Sequence, residues 1–183
     1  NQLLDIVELH DPPTEDEEAG LRIRRARPDE SQLLTRLERA ASEEALAHIF
    51  PPEQYPYPTS AVGRRWRQLL RNRLMHAYLL EVPAGPAGYV AFNGDTVHHL
   101  GVVSDHQRRG YGSALLEFAC MEIFGGGARE AFCWVLADNR AARAFYRARD
   151  WTETGALRKS EYPPHPQSIQ LTRKNPHAPR RSR

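Results

Sequence analysis

Apolar positions recur along this chain with two different periods, and the changes between them mark out its elements. Leu21-Arg22-Ile23-Arg24 alternates as a strand does. Pro28-Asp29-Glu30 then opens a helix, with proline near the first turn where its missing N–H costs nothing. Leu33, Leu34, Leu37 and Ala41 give that helix one apolar stripe. A second helix is predicted over 60–74, carrying Val62, Trp66, Leu69 and Leu70. Between the two lie Pro51, Pro52, Pro56 and Pro58, a density that excludes continuous helix or central strand. Three strand-like runs follow, over 77–82, 87–92 and 96–103, separated by Pro83-Ala84-Gly85-Pro86 and by the hairpin signal Asn93-Gly94-Asp95. A helix over 112–124 stops at Gly125-Gly126-Gly127. Alternation resumes over 130–137, helical spacing over 139–149, and Ile169-Gln170-Leu171-Thr172 reads as the last strand. The order β-α-α-β-β-β-α-β-α-β predicts an α/β (α+β) fold, with a mixed, largely antiparallel sheet flanked by helices.

Composition changes this picture little. At 183 residues the chain is long enough for one domain with a substantial core, expected over 21–173. Residues 1–20 read as an acidic, flexible leader containing Glu15-Asp16-Glu17-Glu18, and 174–183 as a basic, disordered tail ending Arg180-Arg181-Ser182-Arg183. A net charge of +2 makes no case for nucleic acid or membrane as partner. Cys120 and Cys133 stand in apolar surroundings without a framework spacing, as small hydrophobes do. No apolar run approaches the ~20 residues that span a bilayer, and no signal-peptide pattern opens the chain. A cytoplasmic enzyme is the plain expectation.

The chemistry concentrates in Gln107-Arg108-Arg109-Gly110-Tyr111-Gly112-Ser113, which joins the run Leu100-Gly101-Val102-Val103 to a helix. A strand, a glycine-bearing turn and a helix start leave a row of backbone N–H groups without intrahelical partners. Such a turn binds phosphate. Glycine at 110 and 112 lets an anion approach the backbone, and Arg108 and Arg109 add charge at the rim. The turn is not a Walker A loop, because no Lys-Ser/Thr follows its last glycine. His98-His99 with Asp95 does not make a metal site, since adjacent strand residues face opposite ways and no further ligand is placed.

About thirty residues on, the strand Trp134-Val135-Leu136-Ala137-Asp138 runs into Asn139-Arg140-Ala141-Ala142-Arg143-Ala144-Phe145-Tyr146. Together and in this order, the two segments resemble the GNAT superfamily of acyl-CoA-dependent N-acyltransferases. Its first motif, Gln/Arg-x-x-Gly-x-Gly/Ala after a strand, is matched by Gln107 to Gly112. Its second, Asn-x-x-Ala-x-x-Phe-Tyr, is matched by Asn139, Ala142, Phe145 and Tyr146. Asp150 stands where the family commonly has glycine, and Ser104 where it often has proline.

The resemblance implies a sheet with a splayed central strand pair and acetyl-CoA as acetyl donor. Leu100, Gly101 and Val102 would bind pantetheine and the acetyl carbonyl through their backbone. Gln107, Arg108, Arg109, Gly110, Tyr111, Gly112 and Ser113 would cradle the pyrophosphate. Asn139 would touch the donor, cap its helix, or both. Tyr146 would be the acid that protonates the departing thiolate, or else an aromatic packed beside Phe145. A base is also needed, because a primary amine is mostly protonated at neutral pH. Alternation puts His98 on the face of Leu100 and Val102, and His99 on the other. His98 is therefore one candidate base, against a plain strand histidine. Glu53 in the proline-rich loop is a second, against an exposed loop carboxylate, and Tyr55 and Tyr57 could line the acceptor pocket. The expected acceptor is a small-molecule amine. A protein N-terminus or lysine, or a non-catalytic acyl-CoA-binding module, is the alternative, and a homodimer remains open.

Overall fold

The computed structural model describes residues 20–178. The acidic leader up to residue 19 and residues 179–183 of the basic tail lie outside the described residues. The elements run β1 (Arg22–Arg25), α1 (Ser31–Ser42), α2 (Thr59–Arg71), β2 (His76–Val82), β3 (Gly85–Asn93) and β4 (Thr96–Val102). After a short 3-10 turn (Ser104–His106) come α3 (Tyr111–Gly125), β5 (Glu130–Leu136), α4 (Arg140–Arg147), β6 (Thr152–Lys159) and β7 (Gln167–Lys174).

These strands form a 7-stranded sheet in the order β1-β2-β3-β4-β5-β7-β6. All its neighbours are antiparallel except β4 and β5. That parallel pair is joined only at Thr96↔Phe132 and Val97↔Cys133, after which the strands part. The expected splayed pair is thus present at the centre of the sheet.

Alternation along the strands feeds two cores. Leu80, Val90, Phe92 and Val97 pack with Leu115, Leu116, Ala119 and Ile123 of α3. Their sequence neighbours Leu79, Tyr89 and Ala91 pack with Leu34 and Leu37 of α1 and with Val62 and Trp66 of α2. The sheet is covered on both faces, and burial of these side chains supplies the main stabilisation.

The structure departs from the sequence expectations at local features. Strand β6 carried no signal: all its residues are exposed, so no alternating burial shaped its sequence. Helix α2 ends at Arg71 rather than at residue 74, because Asn72 is extended and Leu74 is 73% exposed with nothing to pack against. Helix α4 spans Arg140–Arg147, with Asn139 outside it as the cap. Asp150 has φ 62, the left-handed conformation that favours glycine, and aspartate is among the residues that tolerate it.

Candidate active site

The turn that links β4 to α3 leads into a helix whose first N–H groups have no cap. Gly110 is the N-cap of α3, with φ 80, and no side chain caps the helix. The first helical bond runs from Ala114 N–H to Gly110 C=O, at 3.0 Å. The N–H groups of Tyr111, Gly112 and Ser113 precede that bond, at the positive end of the helix dipole. Arg108 is left-handed as well, with φ 63, an uncommon state for a residue with a side chain. The turn is pinned to its strand by Gln107, whose Nε2 donates to Val102 C=O at 2.9 Å. Behind it, Gly112 faces the Phe145 ring, which a Cβ at that position would approach to 3.3 Å.

Upstream, the β5-facing edge of β4 beyond Val97 has no strand partner in the parallel ladder. Leu100, Gly101 and Val102 lie on this stretch and pair only with β3 on the other side. Gly101 sits opposite Tyr89, whose hydroxyl would be 2.5 Å from any Cβ added there. Tyr89 thus covers the glycine from the neighbouring strand, and residue 101 must stay small.

A cavity of about 660 Å³ opens between these strands and continues under the proline-rich loop. Tyr146, Cys133, Asn139 and Leu100 line it together with the rings of Phe50, Tyr55, Tyr57, Tyr89 and Tyr162. Tyr146 is only 7% exposed, set edge-on between Phe145 and Trp151. Burial, with smaller contributions from Cys133 and Cys120, pushes its hydroxyl well above the usual phenol range, so it stays protonated. Burial likewise pushes the Cys133 thiol up to about 12, which makes it a poor nucleophile at neutral pH. Asn139 caps α4 by accepting from Ala142 N–H at 3.0 Å, and it also lines the cavity.

In the cavity wall, Glu38 of α1 accepts from Trp66 Nε1 at 2.8 Å and from the Arg65 guanidinium. Arg65 also donates to the Tyr162 hydroxyl, at 3.3 Å. The second carboxylate of the lining, Glu43, is held by Arg39 at 2.8 Å. Both acids in the cavity wall are therefore already neutralised by arginine. Trp134, also in the lining, carries the Arg158 guanidinium 4.3 Å over its ring.

The two histidines do not face opposite ways. The register slips between Ala91 and Phe92, which pair with His99 and Val97 and leave His98 as the extra residue of a bulge. Strict alternation fails there, and both rings line the same cavity. His98 has its Nε2 2.6 Å from Asn93 Oδ1. Burial, then the Arg158 charge, hold it below its ordinary value against an opposing pull from Asp95. His99 packs 5.1 Å from Trp66, and burial with the Arg65 charge keeps it neutral. Its place in the wall went unrecognised in the sequence because the bulge has no residue signature.

Glu53 is exposed and lies outside the lining, which passes through its neighbours Pro52 and Gln54. The loop contributes aromatic rings rather than that carboxylate. Ser113 is buried and its hydroxyl accepts from Arg149, so only its backbone N–H is offered to an anion. Among the described residues no group of His, Cys, Asp and Glu could hold a metal ion, and no helix is long and apolar enough to cross a membrane.

An anion cradle, a split parallel strand pair and a protonated tyrosine in one cavity define a coenzyme A-dependent acyltransferase. Comparison with known proteins places the chain more closely. Residues 37–151 match the acetyltransferase (GNAT) family, and the chain belongs to that family. It is 30% identical over 122 residues to the [ribosomal protein bS18]-alanine N-acetyltransferase of Escherichia coli K12, covering 66% of this chain and 76% of that one. The fold is shared with a GCN5-related N-acetyltransferase from Rhodopseudomonas palustris (TM-score 0.73, 17% identity, 91% of this chain and 98% of that one). It is shared too with a PaiA N-acetyltransferase from Thermoplasma acidophilum in complex with coenzyme A (TM-score 0.65, 13% identity, 85% and 99%). The chain is an N-acetyltransferase, and acetyl-CoA is its acetyl donor.

Proposed function

We propose that this enzyme acetylates a small primary amine with an apolar or aromatic body, by direct attack within a ternary complex. The observation that carries the acceptor class is the cavity wall beyond Tyr146. It is rich in aromatic side chains, and its carboxylates, Glu38 and Glu43, are both paired with arginine. A polycationic amine needs unpaired acidic groups to replace its hydration. A flat apolar amine needs only surface to pack against and one route for its proton.

When bound, the donor supplies a thioester carbonyl and a thiolate leaving group. The uncapped N–H groups of Tyr111, Gly112 and Ser113 hold its pyrophosphate, with Gln107 fixing the turn and Arg108 and Arg109 at the rim. The free edge of Leu100, Gly101 and Val102 orients the pantetheine arm and donates to the carbonyl oxygen as charge develops there. The Tyr146 hydroxyl, held protonated by burial, supplies the proton that the thiolate takes. On the acceptor side His98, neutral above its lowered pKa, accepts the amine proton directly or through water. Cys133, kept as the thiol, forms no acyl-enzyme.

A second reading is acetylation of a protein α-amine, favoured by the 30% relative whose name records an alanine of a ribosomal protein. The deciding experiment is thiol release from acetyl-CoA with a panel of phenylethylamine, spermidine, lysine and an alanine-initiated peptide. The small-amine reading expects phenylethylamine to give the highest kcat/KM. Preference for the peptide transfers the assignment to the second reading, and preference for spermidine overturns the argument from neutralised carboxylates.

A further inference from the structure

Just past the C-terminus of α4, Arg149 reaches across to the first turn of α3 without a carboxylate partner of its own among the described residues. Arg149 donates from Nε to Ser113 Oγ at 2.9 Å and from Nη1 to Phe145 C=O at 2.8 Å; Nη2 also reaches Ser113 Oγ. Its guanidinium carbon lies 3.9 Å from the centre of the Phe145 ring. Among the described residues it forms no ion pair. Glu117 attracts it from a distance, but that carboxylate is held by Arg173.

Every group it touches is neutral: Phe145 C=O belongs to the last turn of α4, where the helix dipole favours a cation, whereas Ser113 draws it to the opposite kind of helix end. Ser113 is in the first turn of α3, where the dipole disfavours a cation. Part-burying a guanidinium against the first turn of α3 costs free energy that an anion bound at that turn would offset. The guanidinium has five N–H donors, and the bonds described do not exhaust them. Phe145 fixes its plane from below and at the same time closes on Gly112, so the cation, the ring and the turn form one surface.

We propose that Arg149 is a specificity-determining residue for the donor, its guanidinium binding a diphosphate oxygen of coenzyme A beside the first turn of α3. This rests on the acetyl-CoA reading of the turn and adds to it a side-chain clamp from a different helix. Backbone N–H groups alone recognise any anion that fits. A planar guanidinium held by a ring and two acceptors adds orientation.

The test compares kcat/KM of the wild type with Arg149→Leu, Arg149→Gln and Arg149→Lys for three donors: acetyl-CoA, acetyl-3′-dephospho-CoA and S-acetylpantetheine. The glutamine variant, whose amide ends near the position of Nε, can keep a bond to Ser113 without the charge, should the leucine variant fold poorly. A charge-assisted bond to phosphate implies losses of about 10- to 100-fold for both diphosphate-bearing donors. No loss is expected with S-acetylpantetheine, and Arg149→Lys should restore part of the activity. An equal loss with all three donors reduces Arg149 to a tie between helices and overturns the proposal. So does a loss confined to acetyl-CoA, which would put the contact at the 3′-phosphate, and so does no loss at all. Failure of the wild type to use either nucleotide donor would instead strike the acetyl-CoA reading itself.

Discussion

On the proposed donor side of the cavity, most groups positioned for a ligand are backbone N–H and C=O from one continuous stretch, Leu100 to Ser113, with Tyr146, Asn139 and Arg149 added from α4 and its ends. On the acceptor side they are side chains gathered from α1, the proline-rich loop, β3, β4, β5 and the turn before β7. The donor half depends on conformation: a parted strand pair, a left-handed Gly110 and an uncapped helix. The acceptor half depends on identity, with Tyr55, Tyr57, Tyr89 and Tyr162 setting its shape and Glu38, Arg65 and Trp66 bracing it. One half can therefore stay constant while the other takes new substrates. That is why family membership settles the donor and leaves the acceptor to be argued from its walls.

The comparison breaks most visibly at the junction of the halves. Tyr146→Phe removes the proposed proton donor and leaves both walls intact. It should lower kcat by about 10²- to 10⁴-fold, with acetyl-CoA affinity little changed in the same preparation. Steady-state thiol release and calorimetry on one sample check both numbers. Turnover equal to wild type would return Tyr146 to a packing role between Phe145 and Trp151.

Gly110→Val strikes the donor half alone. A β-branched residue at φ 80 is strained by about 1–3 kcal/mol, or the turn rearranges to relieve it. Acetyl-CoA binding should weaken by about 10- to 100-fold while KM for the acceptor holds. Equal losses for donor and acceptor would mean that the halves are not separable.

The smallest effect is expected from His98→Gln, on the acceptor half. A base must be neutral to work, and His98 titrates below 6.5 because burial and Arg158 oppose its charge. The wild-type kcat/KM should therefore fall as pH drops through that lowered value and level off above it. The variant should lose this limb and about tenfold in rate at neutral pH, less than the 10²- to 10⁴-fold usual for a general base because water can carry the proton in its place. An unchanged pH profile would pass the role to another group of the wall, His99 first.

Much of the fold was legible in the order of periods along the chain, because strands and helices with one buried face must show them. The glycine turn and the Asn139 cap were legible too, since both are features of local backbone geometry. Strand β6 was not, having no buried face to pattern. Nor were the bulge at His98, which follows from how β3 and β4 pair, and the Arg149–Ser113 bond, which joins residues 36 positions apart. Glu53 shows the converse: a carboxylate in the right loop whose position lies outside the lining.

The claim on which everything else depends is that the turn after β4 holds coenzyme A before any acceptor arrives. Calorimetric titration of the whole chain with acetyl-CoA, in the absence of amine, tests it directly. The account predicts saturable binding of one molecule per chain, within the usual range of roughly 1 μM to 1 mM. No saturable heat at about 1 mM would contradict it.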